Sequence, residues 1–344
     1  MKVVSYVPTY RVVLTRRCAY ACGYCDFTNR PSPTPPSLKT LRAQLGLAQK
    51  LGVRQVTLTA GEGIAELPEI VSVCRYYGYA SWAEYLKAVL RTILKHPNGR
   101  PVIPVLEVGS LPFVELQQMR QYLPAVRFLL HAADDALQYR VAHMHAPHKA
   151  LGPRMEMLEK LGKLNIPTIT GLTIGIGESR ESWARAAAVV NALHERYHHI
   201  LQFVLIPFHP ARRSRMENYP PVADETFLDA CREVRRVLAP SIHLSAEIEQ
   251  RLPLVADLVR EGITDLGEIR LGETDSIHVD LPATLEALRA ELRPAGIRLR
   301  ERSTLSNGIL RKGILPRPVA TAVERQRNYR PPIISQGHES SAIS

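Results

Sequence analysis

Three of the five cysteines in this chain of 344 residues fall in one short run, Cys18-Ala19-Tyr20-Ala21-Cys22-Gly23-Tyr24-Cys25. The spacing C-x-x-x-C-x-x-C, with Tyr24 directly before the last cysteine, places three thiolates on one tight loop. Three thiolates can hold three corners of a 4Fe-4S cube. The fourth iron is then open to a substrate or cofactor. A closed structural zinc site would need a fourth ligand. The next cysteine, Cys74, is 49 residues past Cys25, and no histidine lies near the loop in sequence. So few cysteines in so long a chain do not describe a secreted fold stapled by disulfides. Reduced cysteines without a ligand role are the plain alternative.

Other residue patterns carry possible chemistry. Gly61-Glu62 follows an apolar run; a carboxylate there can accept hydrogen bonds from an ammonium, although the pair also reads as a strand-to-helix turn. Gly171-Leu172-Thr173-Ile174-Gly175-Ile176-Gly177-Glu178 is either a cofactor-facing strand or a barrel strand kinked by glycine. His194-Glu195-Arg196-Tyr197-His198 matches H-E-x-x-H, in which two histidines one helical turn apart bind zinc and the glutamate is the base. It falls at a helix end that leads straight into a strand, where histidines complement the last carbonyls. His143-Met144-His145-Ala146-Pro147-His148 is a set of proton donors and acceptors or an exposed polar loop. Glu107, Asp134 and Asp135 stand near strand ends, where they can hold hydroxyls or cap helices.

Strands and helices alternate along the chain, which predicts a parallel α/β architecture. Strands are expected at Val12–Thr15, Val53–Thr59, Val102–Val108 (interrupted by Pro104), Val126–Leu130, Ile166–Ile174, Ile200–Ile206, Ile242–Leu244 and Arg298–Glu301. Helices are expected from a Ser37 cap to Leu51, then at Ser81–Lys95, Phe113–Tyr122, Lys149–Leu164, Ser179–Tyr197, Ala223–Leu238, Glu249–Glu261 and Ala283–Leu292. Ala65–Gly78, which holds Cys74, reads as irregular, and His96-Pro97-Asn98-Gly99 as a turn. Six clear βα units and two weaker ones predict a (βα)6–8 barrel in one domain, residues 1–315. Residues 316–344 read as a tail, disordered over Ser335–Ser344. Active sites in such barrels form at the carboxyl ends of the strands, where the cysteine loop follows the first strand.

The composition, 45% hydrophobic and 22% charged, is that of an ordinary globular protein. Val3-Val4 is too short an apolar run for a signal peptide, and no stretch approaches a membrane helix. The cytoplasm, where thiols stay reduced, is the expected compartment. A net charge of +11 raises the question of nucleic acid. The arginines are scattered apart from Arg212, Arg213 and Arg215, and aromatics are only 6%, so the charge reads as solvated helix faces. Local arginines also suit an anionic or polyhydroxylated small substrate.

The cysteine spacing, with Gly61-Glu62 and the Gly171–Glu178 run after it, resembles the radical S-adenosylmethionine (radical SAM) enzymes. Within them, Ser5–Phe27, His143–Pro147, Ile166–Glu178 and His194–Ile200 resemble the 7,8-didemethyl-8-hydroxy-5-deazariboflavin synthases, in the subunit that performs the second radical step. The similarity extends over about residues 3–305 at varying strength. It implies a TIM-like radical SAM barrel in which Cys18, Cys22 and Cys25 hold a 4Fe-4S cluster. It implies S-adenosylmethionine on the open iron, with Gly61 and Glu62 at its amino group. Gly171, Thr173 (in the place of an isoleucine) and Gly175 would lie along the adenine, and Glu178 would help position the cofactor.

The implied activity belongs to the making of a deazaflavin coenzyme. A companion radical SAM subunit joins tyrosine to 5-amino-6-(D-ribitylamino)uracil. A 5′-deoxyadenosyl radical then abstracts hydrogen from the adduct, the ring closes and ammonia leaves. A flavodoxin- or ferredoxin-type protein would supply the electron. Two departures stand out: Val105-Leu106-Glu107 replaces the family's His-Thr-Asn, and Leu130-His131-Ala132 replaces Met-Leu-Glu. They leave open a radical SAM enzyme of the same build with another aromatic or ribityl substrate. A zinc hydrolase using His194, Glu195 and His198 is the distant third reading.

Overall fold

The computed structural model describes residues 2–96, 101–248, 251–274, 281–305, 309 and 313–329. Most of the turn expected at His96–Gly99, the start of the helix expected from Glu249, and the tail beyond 329 lie outside them. Eight parallel strands follow one another around a barrel: β1 (Lys2–Val13), β2 (Gln55–Thr59), β3 (Ile103–Glu107), β4 (Ala125–Arg127), β5 (Thr168–Ile174), β6 (Ile200–Pro207), β7 (His243–Ala246) and β8 (Asp265–Glu273). β1 closes it by pairing with β8 on one edge and, through Thr9–Val13, with β2 on the other. A ninth strand, β9 (Ile297–Glu301), lies against the first half of β1, Lys2–Tyr6, below β2.

Helices cover the outside: α1 (Leu38–Lys50), α2 (Pro68–Tyr76), α3 (Trp82–Leu94), α4 (Phe113–Met119), α5 (Leu151–Lys163), α6 (Arg180–Tyr197), α7 (Asp224–Val237), α8 (Val255–Arg260) and α9 (Leu281–Leu292). Their apolar stripes form one core with the outward faces of the strands. In α1 the stripe is Leu41, Leu45 and Ala48, and the Ser37 hydroxyl accepts from the Thr40 N–H as expected of a cap. Ser179 precedes α6 without a side-chain cap; its N–H donates to Asp134 instead. Pro104 sits inside β3 at no loss. Its missing N–H faces β4, which begins pairing only at Val105.

Four expectations are corrected. β1 begins at Lys2 rather than Val12, because its first half has its own partner in β9. The eighth barrel strand is Asp265–Glu273, and the strand at Ile297–Glu301 stands outside the barrel. β8 escapes a hydrophobicity reading because its inward side chains are Asp265, Glu268 and Arg270. Inside Ala65–Gly78 lies α2, opened by Pro68 at its first turn. Residues 317–328 form α10 (Arg317–Asn328), which packs Val319, Ala322 and Val323 on Ile103, Val105, Ala125, Ile169 and Val204. These are inward residues of the strands, so α10 seals the amino-terminal end of the barrel. Among the described residues, the carboxyl-terminal end is the one left open.

Candidate active site

The cysteine loop leaves the top of β1 and is pinned from three directions. Ala19 N–H donates to the Glu62 carbonyl (2.9 Å), Gly23 N–H to Ala142 (2.8 Å), and the Gly23 carbonyl accepts from Met216 N–H (3.0 Å). Gly61 is glycine for this reason: a Cβ there would stand 2.0 Å from the Arg17 carbonyl and 2.5 Å from Cys18 Cβ. All three thiols line a cavity of about 390 Å³ at the carboxyl ends of the strands. Burial pushes the Cys22 thiol up, and the Cys25 thiol up to about 11, with the neighbouring cysteines adding to the rise. Among the described residues, no three His, Cys, Asp or Glu side chains stand close enough to hold a single metal ion. Three sulfur donors without a fourth ligand fit an iron–sulfur cube with one free iron, and do not fit a closed zinc site.

Glu62 is the hub of the wall opposite. Its Oε1 accepts from Lys149 Nζ (2.6 Å), and its Oε2 from Arg154 Nη1 (2.8 Å), with His148 Nε2 at 3.4 Å. Burial opposes its ionisation, but Lys149, Arg154 and His148 override that and hold the carboxyl at about 2. Arg154 is fully buried. It lies 3.6 Å over the Phe128 ring and donates from Nε to the Leu129 carbonyl (2.8 Å). Lys149 also reaches His131 Nε2 (2.9 Å), whose Nδ1 meets Thr173 Oγ1 (3.2 Å). His131 has a left-handed backbone, φ 64°, uncommon for a residue with a side chain. Burial, then Lys149, lowers His131 well below its usual range, His143 to about 4 and His148 to about 3. All three imidazoles are neutral at pH 7. His148 stacks on Tyr20 at 3.5 Å between centroids, while Tyr24 leans on His131 and His143, so both tyrosines pack the loop.

The floor is a ring of ions from inward-facing strand positions. Arg127 on β4 donates to Glu107 (3.0 Å) and to Glu247 (2.5 Å). Glu107 also accepts from Thr59 (3.3 Å) and faces Arg11 of β1 at a looser 3.7 Å. Glu268 accepts from Gln55 (2.5 Å) and Thr57 (2.9 Å).

Of the expected site residues, the structure thus brings Cys18, Cys22, Cys25, Gly61 and Glu62 to one cavity, along with Glu107 and His131. Gly171, Thr173, Gly175 and Glu178 run beside it on β5 and the turn after, outside its lining. Gly171 is explained by packing, since a Cβ would meet the Val204 carbonyl of β6 at 1.9 Å. Glu178 folds onto its own turn, accepting from Gly175 N–H and Ile176 N–H (both 2.8 Å) and from the Trp183 indole (3.0 Å). Asp134 and Asp135 cap: they accept from the N–H groups of Ser179 and Leu151.

The H-E-x-x-H match stands at the end of α6, which leads into β6 on the sealed side. His198 has already left the helix, φ 53°, and its ring meets that of His194 edge-on at 5.7 Å between centroids, at the helix end away from the open mouth. The ring of His194 lies 3.2 Å from the Ser241 hydroxyl. Sequence reasoning missed Arg11, Arg127, Lys149 and Arg154. Arg154 had a readable signal: it occupies the stripe Arg154, Met157, Leu158, Leu161, a charged residue on a core-facing helix position.

Residues 12–190 match the model of the Radical SAM superfamily. The chain is 28% identical to the 7,8-didemethyl-8-hydroxy-5-deazariboflavin synthase of Methanosarcina mazei, over 77% of each chain. It is 29% identical to that of Methanosarcina acetivorans, over 91% of this chain and 93% of the relative. Among solved structures it is similar to the FeFe-hydrogenase maturase HydG from Carboxydothermus hydrogenoformans. The TM-score is 0.65 at 16% identity, covering 84% of this chain and 66% of the maturase, a likeness of fold.

Proposed function

The chain belongs to the radical SAM superfamily, and from that membership we propose that it cyclises a tyrosine–5-amino-6-(D-ribitylamino)uracil adduct to 7,8-didemethyl-8-hydroxy-5-deazariboflavin. Ammonia is lost, which makes it a carbon–nitrogen lyase. The observation that carries this reading is that Cys18, Cys22 and Cys25 share one cavity with Gly61 and Glu62. When bound, a 4Fe-4S cluster and S-adenosylmethionine supply a 5′-deoxyadenosyl radical. In this reading the three cysteines hold the cluster. Glu62, kept ionised by its cationic neighbours, is the acceptor for the cofactor's ammonium. Gly171 keeps β5 against β6, Thr173 meets His131, Gly175 packs on Val222, and Glu178 fixes the turn that follows, beside the nucleoside. Lys149, between Glu62 and His131, is placed to give a proton to a departing amine at the cavity wall. A companion subunit supplies the adduct, a flavodoxin- or ferredoxin-type protein would supply the electron that cleaves the cofactor, and a second electron transfer, from the substrate radical, would bring the product to a closed shell.

Anaerobic reconstitution tests it in two steps. A brown protein that cleaves S-adenosylmethionine under dithionite, and loses both properties in Cys22→Ala, is the expected first result. Fluorescent deazaflavin from the adduct is the second. Deoxyadenosine without fluorescence favours the second reading, a radical SAM enzyme with another aromatic or ribityl substrate. The observation behind that reading is that both departures from the relatives, Glu107 and His131, face the cavity.

A further inference from the structure

We propose that Arg11 and Glu107 are the specificity pair of the cavity floor, and that they take the edge of a neutral ring presenting a carbonyl beside an N–H. The inference rests on the cavity being the active site of the radical SAM reading, and adds which part of a substrate the floor reads. Arg11 lines the cavity, with its side chain 17% exposed. Its guanidinium makes no hydrogen bond among the described residues, and its Nε is buried without a partner. The 3.7 Å approach to Glu107 is wider than a hydrogen-bonded pair. A buried guanidinium with idle donors costs free energy unless something accepts from it. Glu107 gives one oxygen to Arg127 and holds the other, 3.3 Å from Thr59, toward Arg11. An idle donor therefore sits beside an under-used acceptor.

Charge decides between a neutral and an ionic partner. The floor ring holds Arg11, Arg127 and Arg270 against Glu107, Glu247 and Glu268, three against three; of the other cations in the lining, Lys149 and Arg154 are tied to Glu62, and Arg213 and Arg215 are exposed. A carboxylate or phosphate at Arg11 would be a fourth anion against three cations, and an uncompensated buried charge is strongly disfavoured. A neutral carbonyl takes the Arg11 donors without upsetting the balance, and the adjoining N–H donates to Glu107. Cyclic imides and ureides, the pyrimidinedione ring among them, have that edge.

The test is anaerobic calorimetry of the reconstituted holoenzyme with 5-amino-6-(D-ribitylamino)uracil. A competition between 6-methyluracil and orotate, similar rings of which one carries a carboxylate, runs beside it. Arg11→Gln and Glu107→Gln should each weaken binding of the ribitylaminouracil about tenfold, while S-adenosylmethionine binding holds. Arg11→Lys keeps the charge and serves as the folding control; with fewer donors it should recover only part of the loss. 6-Methyluracil should outcompete orotate. The proposal falls if Arg11→Gln and Arg11→Lys both bind like the wild type, if orotate wins, or if the wild type binds no uracil. Failure of the deazaflavin reading is separate: uracil binding would depend on Arg11, yet the adduct would yield no fluorescent product.

Discussion

The barrel buries a carboxylate against arginine at each end, and the two ends differ in what is left over. At the sealed end, Asp265 is wholly buried. Arg302 grips it with two hydrogen bonds (2.6 and 2.9 Å), and the Ser5 hydroxyl and the Gly267 N–H (2.7 Å) complete its shell. α10 then closes over that end. At the open end, Glu62 accepts from Lys149 and Arg154 but lines the cavity with acceptor capacity left, and groups around it are unpaired. Among the described residues, both ring nitrogens of His143 and the Arg11 Nε are buried without a hydrogen-bond partner, and the Arg11 guanidinium stands 3.7 Å from Glu107. Buried polar groups are normally satisfied. The closed shell of Asp265 marks scaffold here, although Gln326 Oε1 on α10 is also buried without a partner among the described residues; spare donors that line a cavity, as at Arg11, mark a place that expects a guest.

Three substitutions would break or sharpen that contrast. The largest effect is expected at the closed end. Arg302→Met leaves Asp265 buried and unpaired and should cost about 3–5 kcal/mol in urea unfolding. Cluster assembly and cofactor binding should persist in the surviving folded fraction. Equal loss of cofactor affinity would show that the two ends are not separable.

Next is Glu62, whose carboxyl is held at about 2 in the fold against an ordinary 4.5. Its ion pairs contribute on the order of 3 kcal/mol at neutral pH. A lowered carboxylate stabilises above its unfolded value and loses that stability as pH falls. Glu62→Gln should therefore be the weaker fold at pH 7, and the gap to wild type should close between about pH 4.5 and 2. His148, held at about 3 against 6.5, adds a loss that starts earlier, as pH falls below 6.5. A pH-independent gap would remove Glu62 from the acid response.

The smallest effect is at Gln326 on α10, whose amide donates to the carbonyls of Arg54 (2.6 Å) and Pro101 (3.0 Å). Gln326→Ala should cost about 1–2 kcal/mol by thermal unfolding, with no change at the mouth.

The parts legible in sequence were those with local signatures. The cysteine spacing, the Ser37 cap and the apolar βα alternation needed only neighbouring residues, and the barrel followed from counting them. β8 was hidden because the barrel interior is ionic there, which reverses the usual sign of a buried face. The cationic shell of Glu62 was hidden for another reason. Lys149 and Arg154 reach it across 87 and 92 residues of chain, a juxtaposition that only barrel closure creates. The histidine segment after residue 131 held half the answer. His148 reaches the mouth, stacked on Tyr20, and His143 is buried behind it, while Met144, His145 and Pro147 form the exposed part of the loop.

The long first strand has a consequence for how the molecule forms. Lys2–Tyr6 pairs with β9, Ser5–Arg11 with β8, and Thr9–Val13 with β2. β1 must therefore wait for strands that lie far along the chain. Contacts of such long sequence separation are slow to form, because loop closure precedes any reward. Until then the edge of β1 away from β2 is unpaired, rich in valine and tyrosine, and exposed to mispairing with other chains. The cysteine loop hangs from that same strand. Its anchors at Glu62 and Ala142 come from elements made well before β8, so the loop can be organised while the barrel is still open.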